Sequence, residues 1–310
     1  MKLVFCGTPE FAVPTLRAAL DAGHEVALVL TQPDRPAGRK MEMQSPAVKT
    51  FAVERGLAVM QPEKIKSNAE LRVRLEAIQP DAILVVAYGR IIPQWMLELP
   101  RLGCLNGHGS LLPKYRGAAP IQWAIANGER ETGVTTMRLD AGLDTGDILL
   151  ERAVPVGPDA TSAEMYPVLA EVGADLMMAT LAGLENGTLE ARKQDDALAT
   201  LAPILTREDG RFDASRTARE TYDRWRGFTP WPGCWSEFRG KRFLMHRIRA
   251  VESDAAVEAG ALFFEGERLM LGAAENTALW LEEVQMEGKG RMSGAAFWRD
   301  FQVKVGERVG

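Results

Sequence analysis

Short, almost wholly apolar segments recur through the first half of the chain, and stretches with helical spacing separate them. The apolar runs lie at residues 3–6, 26–30, 82–87, 104–105, 134–139 and 148–150. Strands this apolar are typical of a sheet that is covered on both faces, and helices between strands are typical of crossover connections. The pattern therefore predicts an α/β fold built on a doubly wound parallel sheet.

The second half of the chain has a different texture. Beyond about residue 200, Trp and Arg become denser, and short β-like runs follow at 242–248, 261–264, 268–272 and 278–284. Several short strands at this spacing predict a small barrel or sandwich. The chain has 310 residues, enough for two domains. We expect a first domain at 1–203 and a second at 204–310.

The charge of the chain is slightly acidic overall and unevenly distributed. It carries 37 Lys and Arg against 42 Asp and Glu, a formal net charge of −5. Such a balance excludes a uniformly basic RNA-binding protein. Between residues 207 and 249, however, 11 Lys and Arg stand against 6 Asp and Glu. The sequence therefore permits a basic region in the second domain.

Cysteine usage and hydropathy limit the classes of protein to which the chain can belong. The three cysteines, Cys6, Cys104 and Cys234, are widely spaced and form no Cys-x-x-Cys motif. This disfavours both a disulfide framework and a thiolate zinc site. Uninterrupted apolar runs are far shorter than the roughly 18–20 residues that span a bilayer. We expect a soluble, reduced, cytoplasmic protein that does not associate with a membrane.

An amide and an imidazole follow the apolar run at 104–105. Asn106 and His108 are two residues apart, so in an extended segment both side chains point to the same side. At the carboxyl end of a strand, such a pair can polarise a carbonyl and move a proton. The alternative is two ordinary polar groups at a strand end. Residues 110–113 then turn at Pro113, and their backbone either lines a pocket for a flat ligand or forms a simple loop.

A loop with three aspartates and two glycines follows the run at 134–139. It contains Asp140, Asp144 and Asp147. The alternating ligands and terminal Glu of a calcium-binding EF-hand are missing, so we expect no metal here. A carboxylate in this loop can instead orient His108 and favour its protonated form. Spacing alone leaves open which aspartate does so.

Residues 32–49 connect a strand to a helical run without obvious structure of their own. They contain the basic residues Arg35, Arg39 and Lys40. A loop of this length inside an α/β domain is usually functional or disordered. A solvated insertion is the other interpretation.

The segment Gly7-Thr8-Pro9 lacks the Gly-x-Gly-x-x-Gly fingerprint, which argues against a dinucleotide-dependent oxidoreductase.

Several motifs taken together identify a family. They are Asn106-x-His108, Ser110-Leu-Leu-Pro113, Arg116-Gly-Ala-Ala-Pro120 and Leu143-Asp-Thr-Gly-Asp147, with further matches at 6–11, 31–39 and 230–232. In this order and spacing they resemble the folate-dependent formyltransferases. The resemblance covers the whole chain and is closest to the members that act on methionyl-tRNA.

The resemblance implies a fold and a reaction. It implies a Rossmann-like first domain and a small OB-like β-barrel as the second, tRNA-binding domain. The reaction would transfer the formyl group of 10-formyltetrahydrofolate, a cosubstrate, to the α-amino group of initiator methionyl-tRNA. No metal is implied, and we expect a monomer.

The resemblance also implies site residues. The catalytic ones are Asn106, His108 and Asp144. The tetrahydrofolate-binding ones are Ser110, Leu111, Leu112 and Pro113. The tRNA-contacting loop matches 32–49, with Arg35, Arg39 and Lys40 as its candidate contacts. One departure lies within the catalytic motif, because Gly107 stands where the family usually has a branched aliphatic residue, and glycine loosens a strand.

Two other functions fit parts of the sequence. Formyltransferases that act on amino-sugar nucleotides share the two-domain layout, whereas those that act on glycinamide ribonucleotide match only the first two thirds. A noncatalytic RNA-binding protein on the same scaffold is the second alternative. The intact set of Asn106, His108 and Asp144 argues against that alternative, and the basic residues favour RNA over a sugar nucleotide.

Overall fold

The computed structural model describes residues 1–37, 41–252 and 257–310. By its internal packing the chain divides into two compact units. The first unit consists of Met1–Pro120, Glu131–Pro155 and Tyr166–Pro203, and the second of Ile121–Arg130, Val156–Met165 and Ile204–Gly310.

A seven-stranded sheet forms the centre of the first unit. The strands of this unit are β1 (Lys2–Gly7), β2 (Glu25–Leu30), β3 (Arg35–Ala37), β4 (Glu42–Gln44), β5 (Val59–Met60), β6 (Ala82–Val86), β7 (Cys104–His108), β8 (Arg116–Gly117), β9 (Glu131–Arg138), β10 (Ile148–Pro155) and β11 (Leu201–Ala202). The order across the main sheet is β10-β9-β7-β6-β1-β2-β5. The five strands from β7 to β5 are parallel. The predicted doubly wound parallel sheet is confirmed for this part.

At one edge the sheet is antiparallel, and there the prediction of parallel strands is wrong. Strand β9 runs antiparallel to β7, and β10 runs antiparallel to β9. The loop at 139–147 that joins β9 to β10 is shorter than the dozen or so residues that a parallel crossover needs. The loop with the three aspartates is therefore a hairpin connection at the edge of the sheet.

The strand order of the sheet reverses next to β1. Strands β2 and β5 follow on one side of β1, and β6 and β7 follow on the other. In open α/β sheets the crevice at such a reversal, at the carboxyl ends of the strands, is the usual place for a ligand. The loops after β1 and β6 meet here, since the Thr8 hydroxyl donates a hydrogen bond of 2.9 Å to the Tyr88 carbonyl. Strand β7, with Asn106 and His108, lies beside this crevice.

In the described part of the chain, six α-helices precede residue 186: α1 (Val13–Asp21), α2 (Ala47–Glu54), α3 (Ala69–Ile78), α4 (Gln94–Leu97), α5 (Pro120–Ala126) and α6 (Ser162–Glu185). Among the described residues, α6 is the one helix long and apolar enough, by length and composition, to cross a bilayer. Its side chains Leu169, Met177 and Leu181 are completely buried. These three side chains pack inside the protein.

The described residues of the segment 32–49 form regular structure, so the expectation of a segment without structure of its own is wrong for them. Strands β3 and β4 form an antiparallel hairpin, and α2 begins at Ala47. The Asp34 carboxylate anchors the base of the hairpin, because it accepts hydrogen bonds from Lys49 Nζ at 2.6 Å and Gln61 Nε2 at 2.7 Å. Arg35 is exposed on β3. Arg39 and Lys40 lie outside the described residues.

Among its described residues, the second unit contains an antiparallel sheet and two further α-helices. Its elements are α7 (Ala218–Gly227), β12 (Cys234–Phe238), β13 (Lys241–Glu252), β14 (Leu262–Glu265), β15 (Arg268–Gly272), β16 (Thr277–Met286), β17 (Met292–Ser293) and α8 (Gly294–Asp300). The sheet order is β12-β13-β16-β15-β14, with β17 paired to β16. The predicted small β domain after an α/β domain is confirmed.

The end of the chain connects the two outer strands of this sheet. Gly310 donates its backbone N–H to the Glu237 carbonyl of β12, and Gly306 donates to the Leu262 carbonyl of β14. Val309, between them, is buried in the core of the unit. The last five residues therefore link β12 and β14, two strands that are not paired directly with each other.

Candidate active site

His108 is the last residue of β7 and lies opposite Thr135 of β9. Its side chain is only 6% exposed. The Nε2 atom lies 2.9 Å from the carbonyl oxygen of Tyr115. A carbonyl oxygen only accepts hydrogen bonds, so Nε2 carries the hydrogen and donates it. The second ring nitrogen, Nδ1, is therefore the one that can gain or lose a proton.

Asp144 is the aspartate that faces His108. Its Oδ2 atom lies 3.7 Å from His108 Nδ1 and also accepts the Gly117 backbone N–H at 2.9 Å. A carboxylate at this distance stabilises positive charge on the ring. Asp140, in contrast, ties its own loop together, because it accepts hydrogen bonds from the Gly142 N–H and the Thr145 hydroxyl. The structure therefore separates the aspartates that spacing left equivalent.

Asn106 lies two residues before His108 on the same strand. It is half-buried and sits in register between Val85 of β6 and Met137 of β9. Within the parts of the chain that the structure describes, its side-chain amide makes no hydrogen bond. The alternation of a strand places this amide on the same side as the His108 imidazole. It can therefore donate to a carbonyl oxygen brought to this face.

Residues 110–113 follow β7 and are fixed by Thr135. The Thr135 hydroxyl donates to the Ser110 carbonyl at 2.7 Å and accepts the Leu112 N–H at 3.0 Å. The side chains of Ser110 and Leu112 are buried, whereas Leu111 and Pro113 are half-buried. This segment can therefore present its backbone, Leu111 and Pro113 to a ligand, while Ser110 and Leu112 hold it in place.

Three residues near the site had no role in the sequence predictions. Thr135 is one, and the others are Arg116 and Gln194. The Arg116 guanidinium is almost completely buried and donates to Gln194 Oε1 from Nε at 3.0 Å and from a terminal nitrogen at 2.8 Å. Arg116 lies inside a recognised motif. Nothing in the sequence around Gln194 distinguishes it from an ordinary surface glutamine.

The second unit contains a separate cluster of positive charge. The guanidinium carbons of Arg207, Arg211 and Arg242 lie 5.1, 5.5 and 5.3 Å from the centre of the Trp235 ring. These are cation–π distances. Burial lowers the pKa of Arg242 from its ordinary value, and the charge of Arg207 lowers it further. Grouped cations of this kind fit a polyanionic partner.

Solved structures share this architecture. An N-formyltransferase from Helicobacter canadensis, in complex with folinic acid and dTDP-3-aminofucose, matches with a TM-score of 0.66 at 18% identity, over 92% of this chain and 99% of that one. HypX from Aquifex aeolicus, in complex with tetrahydrofolic acid, matches with a TM-score of 0.60 at 21% identity, over 98% of this chain and 48% of that one. At these identities the likeness is one of fold.

Sequence comparison goes further than the fold. The formyl transferase family matches residues 1–181, and the family of the formyl transferase C-terminal domain matches residues 204–302. The methionyl-tRNA formyltransferase of Acidobacterium capsulatum is 58% identical over 310 residues, which are 100% of both chains. That of Geobacter sulfurreducens is 43% identical over 100% of this chain and 97% of its own. The chain therefore belongs to the formyltransferase family, within the group of methionyl-tRNA formyltransferases.

Proposed function

We propose that this protein transfers the formyl group of 10-formyltetrahydrofolate to the α-amino group of initiator methionyl-tRNA. The observation that carries the proposal is the placement of His108, whose Nε2 is bonded to the Tyr115 carbonyl and whose Nδ1 faces Asp144 at 3.7 Å. Asn106 precedes it on the same strand. Full-length similarity to proteins named methionyl-tRNA formyltransferase supports the choice of acceptor.

The reaction exchanges one carbon–nitrogen bond for another. The methionyl nitrogen bonds to the formyl carbon, the bond from that carbon to N10 of the folate breaks, the amine loses a proton and N10 gains one. Negative charge grows on the formyl oxygen before the bond breaks. The Asn106 amide and a protonated His108 Nδ1 are the donors placed to stabilise it, and one such donor is worth about 10²–10³ in rate. Asp144 holds the positive ring in place.

The formyl donor would lie along residues 110–113. The half-buried side chains of Leu111 and Pro113 offer an apolar surface to a flat ring, and the backbone of this segment offers hydrogen-bonding groups. Thr135 keeps the segment rigid through its bonds to Ser110 and Leu112. A rigid segment next to His108 would hold the formyl carbon within reach of Asn106 and His108.

Each domain has basic groups of its own for binding the acceptor. Arg35 is exposed on the hairpin of β3 and β4, and Arg39 and Lys40 follow it in sequence. The second domain, residues 204–310, brings Arg207, Arg211 and Arg242 around Trp235. Contacts from Arg and Lys to phosphates supply most of the affinity of such complexes. A polyanionic acceptor also fits an overall acidic protein whose basic residues are grouped.

We place the reaction in the cytoplasm, and the protein would act as a monomer.

The experiment is a choice between acceptors. Purified protein is incubated with 10-formyltetrahydrofolate labelled in the formyl carbon and with methionyl-tRNA, uncharged tRNA or a dTDP-linked amino sugar. We expect label on methionyl-tRNA alone, and none with a His108→Ala protein run in parallel. Label on the amino sugar without label on the tRNA overturns the proposal, as does the absence of transfer to either acceptor.

A further inference from the structure

We propose that Gln194, assisted by Thr200, is a positioning residue that holds both partners of His108 in place. The inference rests on the proposed function, because it assigns a purpose to the surroundings of His108 and Asp144. Residues 194–200 follow α6 in the chain and carry no recognised motif. Their contacts nevertheless reach the loops on both sides of the imidazole.

Gln194 fixes the loop that carries Asp144. Its Nε2 atom donates to the carbonyl oxygen of Asp144 at 2.8 Å and to that of Gly146 at 2.7 Å. These two bonds hold the backbone on which the Asp144 carboxylate sits. The carboxylate itself stays unconstrained by Gln194, so it can face His108.

Arg116 determines which way the Gln194 amide points. It donates twice to Gln194 Oε1, at 3.0 and 2.8 Å. The oxygen of the amide is therefore committed to the guanidinium, and the NH₂ group must face the Asp144 loop. The exposed Asp196 carboxylate is a second acceptor for Arg116, at 2.7 Å.

Thr200 fixes the other partner of His108. Its hydroxyl oxygen accepts the Tyr115 backbone N–H at 2.8 Å, and its carbonyl accepts the Arg116 N–H at 2.8 Å. Tyr115 supplies the carbonyl that accepts the hydrogen from His108 Nε2. One segment of chain thus holds both groups that orient the ring.

The backbone at these two partners explains why they need holding. Tyr115 has φ of 63° and Asp144 has φ of 53°, in the left-handed region that residues with a Cβ atom disfavour. Such conformations persist where surrounding bonds enforce them, and they are frequent at functional sites. The bonds from Gln194 and Thr200 act directly on the backbone of these two residues.

The test is Gln194→Glu. This variant keeps the acceptor for Arg116 but loses both donors and sets a carboxylate against two carbonyl oxygens. We expect kcat to fall about 10- to 100-fold with KM for both substrates unchanged, because a misplaced catalytic group slows the chemical step. Asp196→Asn is the matched control, since it alters the other acceptor of Arg116; its kcat should stay within about twofold of wild type.

A double variant distinguishes positioning through Asp144 from a merely structural role of Gln194. If Gln194 acts through Asp144, then Gln194→Glu causes less than about a twofold further loss in an Asp144→Asn background. An unchanged kcat in the single variant overturns the inference, and so does an undiminished loss in the double variant. Should Gln194→Glu fail to fold, Thr200→Val replaces it. A kcat reduced about three- to tenfold and restored by Thr200→Ser supports the inference, and retained kcat overturns it.

The same variants separate this inference from the proposed function. If Asp144→Asn alone leaves kcat unchanged, the proposed role of Asp144 fails, and the inference fails with it. If Asp144→Asn lowers kcat while Gln194→Glu does not, only the positioning role of Gln194 is overturned.

Discussion

His108 donates its Nε2 hydrogen to the carbonyl oxygen of Tyr115 at 2.9 Å. This bond fixes the plane of a ring that is only 6% exposed, and it leaves Nδ1 as the nitrogen that can change its protonation. Nδ1 faces Asp144 at 3.7 Å. The arrangement gives each ring nitrogen one task, orientation for Nε2 and chemistry for Nδ1.

Removing the Asp144 carboxylate should slow transfer without weakening the binding of folate. For both Asp144→Asn and His108→Ala we expect kcat to fall at least about 100-fold, since positioned acid–base groups contribute about 10²–10⁴. Single-turnover rates and equilibrium folate binding measure the two effects. Asp175→Asn, on an exposed part of α6, removes the same charge and should behave as wild type. Near-normal turnover of His108→Ala would remove His108 from the mechanism.

Gly107→Ala should stabilise the protein and leave it active. A Cβ atom at Gly107 would lie 3.6 Å from Val86 and 3.7 Å from Met177, which is ordinary contact. We expect the free energy of unfolding in urea to rise by about 0.5–1 kcal/mol, because alanine loses less entropy on folding.

Gly133→Ala on the neighbouring strand is the matched control for Gly107→Ala. Its Cβ would lie 2.3 Å from the Arg152 carbonyl oxygen, so we expect a loss of about 1–3 kcal/mol. A lower stability or a lost activity in Gly107→Ala would mean that the site needs glycine between Asn106 and His108.

Arginines of the segment 32–49 should control the affinity for tRNA and its dependence on salt. For Arg35→Ala and Arg39→Ala we expect weaker binding, with the slope of log K against log salt reduced by about one for each lost phosphate contact. Filter binding at several salt concentrations measures this slope. Arg74→Ala, exposed on α3, changes the net charge equally and should leave the slope unaltered. An unchanged slope in Arg35→Ala and Arg39→Ala would exclude those phosphate contacts.

The hydrogen bonds from Lys49 and Gln61 to the Asp34 carboxylate, which anchor the hairpin, should weaken only in acid. The hydrogen bond from Lys49 is the first cause, and that from Gln61 the second, that lower the pKa of Asp34 from its ordinary value. A lowered pKa in the folded state means that the ionised carboxylate stabilises the hairpin. Its contribution is complete above the unfolded pKa of about 4 and is lost as the pH falls through the lower folded value.

Methyl NMR of the exposed hairpin methionines measures this anchor. The resonances of Met41 and Met43 should stay constant from pH 8 to about pH 5 and shift below about pH 4. In Asp34→Asn they should sit near the acid positions throughout. Resonances that move between pH 5 and pH 8 would show that another group controls the hairpin.

The sequence was sufficient to locate several buried strands, and it was insufficient for the edge of the sheet. Apolar runs mark buried strands wherever they occur, so β1, β2, β6 and β7 could be located from residues alone. Strand direction depends on the length of the connection, and the short loop at 139–147 carries that information. The hairpin at β3 and β4 was missed because its strands are short and β4 is exposed.

By itself, the sequence determined the fold class, the two-part organisation and the family, because hydrophobic periodicity and the order of the motifs are properties of the chain alone. The resemblance had named Asp144, and only the tertiary structure shows its distance to His108 and which residue holds its loop. Asp144 and Gln194 are 50 residues apart, yet their contact distance is 2.8 Å. Contacts across such separations arise when the sheet brings distant loops together, and no local pattern records them. The surroundings of the imidazole are thus a product of folding, whereas the imidazole itself can be read from the chain.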